Sequence, residues 1–128
     1  QLAEIIRANL EKYHLNIPGT VYFDPELNHL SKYYGSDPQK RVYYIALGEN
    51  GEMIGGVGAA EFTGILDCAE LQKLYLTDSA KGKGYGKELV RLAENCCMRR
   101  KTAPFLLRKT ARVCCRKMRE LTRISKRR

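Results

Sequence analysis

The sequence predicts a mixed α/β domain built on a sheet that starts with a hairpin. Three observations carry that expectation. Two amphipathic helical stretches come first, three strand-like runs follow with an Asn-Gly turn between the first two, and a glycine-rich loop then leads into a further helix. The 128 residues suit one domain, and 44% hydrophobic content with 29% charged residues excludes a disordered or collagen-like chain. No run approaches the ~18 apolar residues of a membrane helix and no signal-peptide pattern opens the chain, so no membrane partner is expected.

Leu2, Ile5, Ile6, Leu10 and Tyr13 recur at helical spacing and predict a helix over residues 2–14, which Ile17-Pro18-Gly19 breaks. Asp24-Pro25 predicts a second helix, with Asp24 as its cap and Pro25 at the first helical position. Leu27, Leu30, Tyr33 and Tyr34 make its apolar face, and Gly35 with Asp37-Pro38 stops it. Residues 42–47 (VYYIAL) are β-branched and aromatic and read as a strand. Gly48-Glu49-Asn50-Gly51 turns the chain, and Met53 to Phe62 returns as the partner strand. That strand carries Gly55, Gly56 and Gly58, which weaken it unless something packs closely there. Ala69 to Leu76 is a third strand, alternating Leu71, Lys73 and Tyr75 against Gln72, Leu74 and Leu76. Leu89, Val90, Leu92, Ala93 and Cys96 form the apolar face of a long helix. Further on, Phe105-Leu106-Leu107 suits a short strand, and Leu107, Ala111, Cys114, Met118 and Leu121 fit a helical stripe.

The segment from Leu74 to Lys87 is the most informative. A strand runs into Lys81-Gly82-Lys83-Gly84-Tyr85-Gly86-Lys87, and a helix begins there. Free amides at a helix start, with the helix dipole, attract an anion, and glycines let the backbone approach a phosphate closely. Lys81, Lys83 and Lys87 add positive charge, so a pyrophosphate is the natural guest. The dinucleotide fingerprint G-x-G-x-x-G is absent because the glycines are spaced by two, and a P-loop fails because Glu88 follows Lys87.

This segment resembles the pyrophosphate motif [Q/R]-x-x-G-x-[G/A] of the GNAT acyltransferase superfamily, with Lys81 in the first position. The preceding strand from Ala69 to Leu76 looks like that family's central strand, and the resemblance spans about residues 2–100. It implies a GNAT-like fold: a central, mostly antiparallel sheet flanked by helices, incomplete at both ends relative to the family. It implies one acyl-CoA N-acyltransferase domain over residues 1–128. That domain would transfer an acetyl group from acetyl-CoA, as co-substrate, to an amine of a small molecule or peptide. Backbone groups of Leu74, Tyr75 and Leu76 would pair with the pantetheine arm, and amides from Gly82 through Lys83, Gly84, Tyr85 and Gly86 to Lys87 would hold the pyrophosphate. A carboxylate 14 residues before the second motif glycine often serves as the general base, and that position is Glu70. An ammonium has no lone pair, so attack on a thioester requires such a base. Glu70 also suits a surface carboxylate paired with Lys73, and Glu61 is a second candidate. Tyr33, Tyr34, Tyr43 and Tyr44 suit core packing better than an acceptor cleft. Cys68 reads as buried filler rather than a nucleophile.

Residues 99–128 are a strongly basic, atypical C-terminal segment. Residues 1–98 hold 10 Lys/Arg against 13 Asp/Glu, whereas residues 99–128 hold 13 Lys/Arg and one acid, Glu120. A solvated tail and a site for nucleic acid or an acidic partner both fit that run. A nucleic-acid or acidic-partner binding module is therefore an alternative function, and a CoA-binding fold with little turnover is another. Family members often use a Tyr near the end of a later helix to protonate the leaving thiolate, and Cys115 stands where that Tyr would be. The abrupt charge change is also what a shifted reading frame after about Cys97 would produce. The five cysteines, at 68, 96, 97, 114 and 115, show no metal-ligand spacing with His14 or His29, so no metal is expected. Reduced thiols in a cytoplasmic protein are the simplest account of them.

Overall fold

The computed structural model describes residues 1–65 and 68–98, with the side chains of Cys97 and Met98 left aside. The strand expected at 105–107, the later helical stripe, Cys115 and the basic segment lie outside the described residues.

Helix α1 (Leu2–Lys12) buries Ile6 and Leu10, the inner face of its predicted stripe. It ends where His14 takes a left-handed conformation (φ 56°) and the Leu15 amide bonds the Leu10 carbonyl at 2.7 Å. A 3-10 turn at Pro25–His29 then feeds the short helix α2 (Leu30–Ser36). The expected cap at Asp24 does not form: its side chain bonds no helix amide and instead pairs with Lys73 Nζ at 3.1 Å. An ion pair to a cation with 5% side-chain exposure outcompetes a cap on a single turn.

The described sheet has the order β1-β2-β3, antiparallel throughout: β1 (Val42–Leu47), β2 (Met53–Glu61) and β3 (Ala69–Leu76). The first turn closes with the Gly48 amide on the Glu52 carbonyl at 2.8 Å, and Gly51 adopts φ 82°. Helix α3 (Tyr85–Met98) covers one face of the sheet, while α1 and α2 cover the other. On the α3 face, Leu89, Ala93 and Cys96 pack with Val42, Tyr44, Ala46, Ile54, Val57 and Ala59. On the opposite face, Ile6, Leu10, Leu27, Leu30, Tyr34 and Tyr43 form a second cluster.

The glycines of β2 make room for that second layer. A Cβ at Gly56 would lie 2.4 Å from the Tyr43 ring, and one at Gly58 would lie 2.2 Å from the Tyr34 hydroxyl. Close approach of two tyrosines to the β2 backbone is what the weak strand-formers permit. Tyr34, Tyr43 and Tyr44 are buried core residues and Tyr33 is half-buried, as the sequence favoured.

The predicted alternation in β3 holds only to Gln72. Gln72 pairs with Gly58 and Tyr75 with Gly56, so Lys73 and Leu74 together oppose the single residue Val57. This is a β-bulge, and Lys73 takes φ 50° to make it. Gln72, Lys73 and Tyr75 therefore share the α1/α2 face, whereas Leu71 and Leu76 share the α3 face. The Tyr43 hydroxyl bonds the Lys73 carbonyl at 2.7 Å and pins the bulge. Among the described residues no helix is long and apolar enough to cross a membrane.

Candidate active site

The loop from β3 to α3 carries the glycines that drew attention in the sequence. Gly82 (φ 74°) and Gly84 (φ 84°) are left-handed, a conformation that costs an L-residue with a Cβ about 1–2 kcal/mol. Among the described residues, no atom beyond their chain neighbours lies within 4 Å of where their Cβ atoms would stand, so the loop opens outward at both. Gly86 differs. It sits in the first turn of α3 with no special φ, and a Cβ there would touch Leu76 Cδ1 at an ordinary 3.6 Å. The first main-chain bond at the head of α3 joins the Glu88 amide to the Gly84 carbonyl at 3.1 Å. The amides ahead of it, at Tyr85, Gly86 and Lys87, are those a helix start leaves without an intrahelical acceptor. A 14-residue helix points its positive dipole end at this loop.

The three lysines divide. Lys83 and Lys87 are exposed. Lys81 instead donates to Asn9 Oδ1 at 2.6 Å and to Asp78 Oδ1 at 2.9 Å, with its ammonium 5.4 Å over the Tyr13 ring. Its charge is spent on tying the loop to α1. Hydrogen bonds from Lys12 and Lys81 hold the Asp78 carboxyl down at about 2. Asn9 completes the tie by donating to the Leu76 carbonyl at 2.8 Å.

Strand β3 ends the sheet among the described residues, and its outer side faces away from β2. The Thr77 amide bonds Ile54 on β2 at 2.8 Å, so the main-chain groups of Leu76, one residue earlier, point outward. Of the three residues expected to present a main-chain edge, Leu74 is 36% exposed and Tyr75 is half-buried. The Leu76 carbonyl is already engaged by Asn9.

Glu70 lies at the other end of β3, half-buried and opposite Ala60. Its Oε2 accepts from Gln72 Nε2 at 3.1 Å, and Gln72 Oε1 accepts from the Tyr34 hydroxyl at 3.0 Å. The pairing with Lys73 weighed from the sequence does not form, because Lys73 Nζ turns to Asp24 (3.1 Å) and Glu26 (3.7 Å). Glu61 is grasped by Arg41 through both carboxylate oxygens, with the shortest contact 2.6 Å. That guanidinium holds its carboxyl below the usual range, the wrong direction for a group that must take up a proton near neutrality. Cys68 is a half-buried free thiol whose Sγ lies 3.7 Å from the Ala69 carbonyl.

Sequence reasoning did not single out Asn9, Tyr34 or Gln72 as parts of this site. Gln72 was within reach of it, since residues two apart in a strand share a face and Gln72 is two from Glu70. Asn9 carried no such signal, because its partners lie 67 and 72 residues away.

The likenesses to known proteins agree with this geometry. The Acetyltransferase (GNAT) family profile matches residues 5–111, beyond the end of the resemblance visible in the residues. The chain is 37% identical over 94 residues to the uncharacterized N-acetyltransferase YjgM of Escherichia coli (strain K12), a match covering 72% of this chain. It spans about half, 54%, of that relative's length. An acetyltransferase of the GNAT family from Staphylococcus aureus Mu50 superposes with a TM-score of 0.63 at 18% identity, over 79% of this chain and 61% of that one, a likeness of fold. With the profile matched over most of its length and a helix-heading glycine loop at the end of its third strand, the chain belongs to the GNAT acetyltransferase family.

Proposed function

We propose that this chain transfers an acetyl group from acetyl-CoA to an amine of a small molecule or peptide, with Glu70 as general base. The observation that carries the reading is the pair of left-handed glycines, Gly82 and Gly84, opening onto free space at the head of α3. A loop of that shape fits a diphosphate, because main-chain amides reach the oxygens with no Cβ between. The amides from Gly82 to Lys87 would hold it, with Lys83 and Lys87 adding charge and Lys81 fixing the loop. The outer edge of β3 along Leu74, Tyr75 and Leu76 would guide the pantetheine arm, the Leu76 carbonyl offering only its remaining lone pair beside Asn9. When bound, acetyl-CoA supplies the activated thioester carbonyl.

The chain's own part in the chemistry is proton removal and positioning. Glu70 Oε2 is engaged by Gln72, which fixes the carboxylate plane and leaves Oε1 to take the proton of the incoming ammonium, directly or through water. The free thiol of Cys68 suits a reducing compartment such as the cytoplasm.

Titration calorimetry with coenzyme A tests the binding half. Wild type is expected to bind, and Gly84→Val to lose binding while remaining folded by circular dichroism. A release assay for free thiol with a panel of amines tests the catalytic half, with Glu70→Gln expected to keep coenzyme A affinity and lose turnover. Unchanged coenzyme A affinity in Gly84→Val would overturn the assignment of the loop.

A further inference from the structure

We infer that Tyr34 and Gln72 form a positioning relay that sets the orientation of Glu70. The inference rests on the reading of Glu70 as general base. The relay is a chain of two hydrogen bonds, from the Tyr34 hydroxyl to Gln72 Oε1 at 3.0 Å and from Gln72 Nε2 to Glu70 Oε2 at 3.1 Å. Its three residues come from two elements, α2 and β3, and its outer end is walled in.

The direction of the relay is fixed at both ends. Tyr34 has no exposed surface, and burial pushes its phenol up, so the hydroxyl keeps its proton and donates it. The hydroxyl cannot swing away, because it rests against the β2 backbone where Gly58 lacks a side chain. The rings of Tyr33 and Tyr43 stand at 4.9 and 5.1 Å from that of Tyr34 and hold it laterally. Gln72 must therefore present its oxygen to Tyr34, which turns its NH2 toward Glu70. Reversing the amide would set its oxygen against a carboxylate oxygen, two acceptors with no proton between them. The β3 bulge follows directly after Gln72, so the side chain lies on the α1/α2 face beside Tyr34.

A donor held on one carboxylate oxygen fixes the carboxylate plane and keeps the other oxygen turned to substrate. The charged groups around the relay are already matched. Asp24 and Glu26 face Lys73, and Glu61 faces Arg41. Arg7 on α1 bonds Asn28. Among the described residues, Gln72 is thus the side-chain donor bonded to Glu70.

The test compares Gln72→Met, Tyr34→Phe and Glu70→Gln in the full chain. Steady-state kinetics are read beside coenzyme A titration and amide hydrogen exchange. Gln72→Met preserves length and removes the donor. It is expected to lower kcat about 10- to 100-fold, as for a lost hydrogen bond to a charged group. It is also expected to leave KM and coenzyme A affinity unchanged, since the lost contact orients the carboxylate rather than holding either substrate. Tyr34→Phe leaves Gln72 in place but frees its amide, and is expected to lower kcat by less. Its Gln72 side-chain NH2 should exchange with solvent faster than in wild type, a readout that needs no turnover. An unchanged kcat in both relay variants, with Glu70→Gln inactive, overturns the relay and leaves the base assignment standing. Full turnover in Glu70→Gln overturns the base assignment, and the relay as a catalytic device with it. A Gln72 amide that exchanges equally fast in wild type and Tyr34→Phe overturns the relay even without an identified amine.

Discussion

Adding one methyl group at Gly58 places the tyrosine layer under a defined load. The new Cβ would stand 2.2 Å from the Tyr34 hydroxyl oxygen, 2.6 Å from Cζ and 3.0 Å from Cε1. Tyr34 is fully buried between two other tyrosine rings, so it has no free direction in which to retreat. Overpacking of this kind costs about 1–3 kcal/mol. Losing the hydrogen bond from Tyr34 to Gln72 adds about 0.5–1.5 kcal/mol. The lower unfolded-state entropy of Ala returns about 0.4–1 kcal/mol, leaving a net destabilisation of roughly 0.5–4 kcal/mol. The assay is urea unfolding, with the midpoint falling at constant slope. Gly35→Ala is the matched control. It lies in α2 with open space around its Cβ position, and there the same change should stabilise by up to about 1 kcal/mol. Combining Gly58→Ala with Tyr34→Phe removes the 2.2 Å contact but not the one at 2.6 Å, so the pair should be less destabilising than the sum of its singles. A Gly58→Ala midpoint equal to wild type, or raised like that of Gly35→Ala, would refute the claim that β2 is glycine-rich to seat the tyrosines.

Other expectations follow from the same structure. Gly84→Ala should lose about 1–2 kcal/mol through its left-handed φ, whereas Gly86→Ala should be neutral or gain up to about 1 kcal/mol, both read by thermal melting. Leu89→Ala, fully buried under the sheet, should cost about 2–5 kcal/mol by urea midpoint. Glu61, Asp78 and Glu88 all have carboxyls held below their ordinary values by cationic partners. Their contribution to stability is therefore complete above the unfolded carboxyl range near pH 4 and is lost as pH falls through the folded values, which for Asp78 reach about 2. Unfolding midpoints should thus drop between pH 5 and pH 2, and Asp78→Asn should flatten the lower part of that slope.

Much of the fold was legible because local chemistry and tertiary packing agree along most of the chain. Strands β1 and β3 have the bounds their residues suggest, and in β1 the aromatic and β-branched run ends at the turn former Gly48. The glycine loop was legible because Gly82 and Gly84 need a conformation other residues avoid. What escaped depends on partners remote in sequence. Asp24 has the local chemistry of a cap, yet a lysine 49 positions later claims it. Lys81 looks like a phosphate-binding lysine, yet Asn9 and Asp78 hold it. The bulge at Lys73 left no trace, because lysine advertises nothing about a positive φ. At the candidate site, the helix-head loop and Glu70 were visible as residues. The link from Glu70 through Gln72 to Tyr34 required the third dimension.

The bulge also decides where β3 tolerates a deletion. Residues on either side of it keep their β2 partners, Gln72 with Gly58 and Tyr75 with Gly56, across a gap that Lys73 and Leu74 overfill by one. Removing Lys73 would leave Leu74 alone opposite Val57 and every other rung of the ladder undisturbed. Removing a residue elsewhere in the strand would slide one half past its neighbour and turn its side chains inside out. Lys73 is therefore surplus to the sheet as a scaffold, and what it adds is a cation delivered to the acidic turn at Asp24 and Glu26.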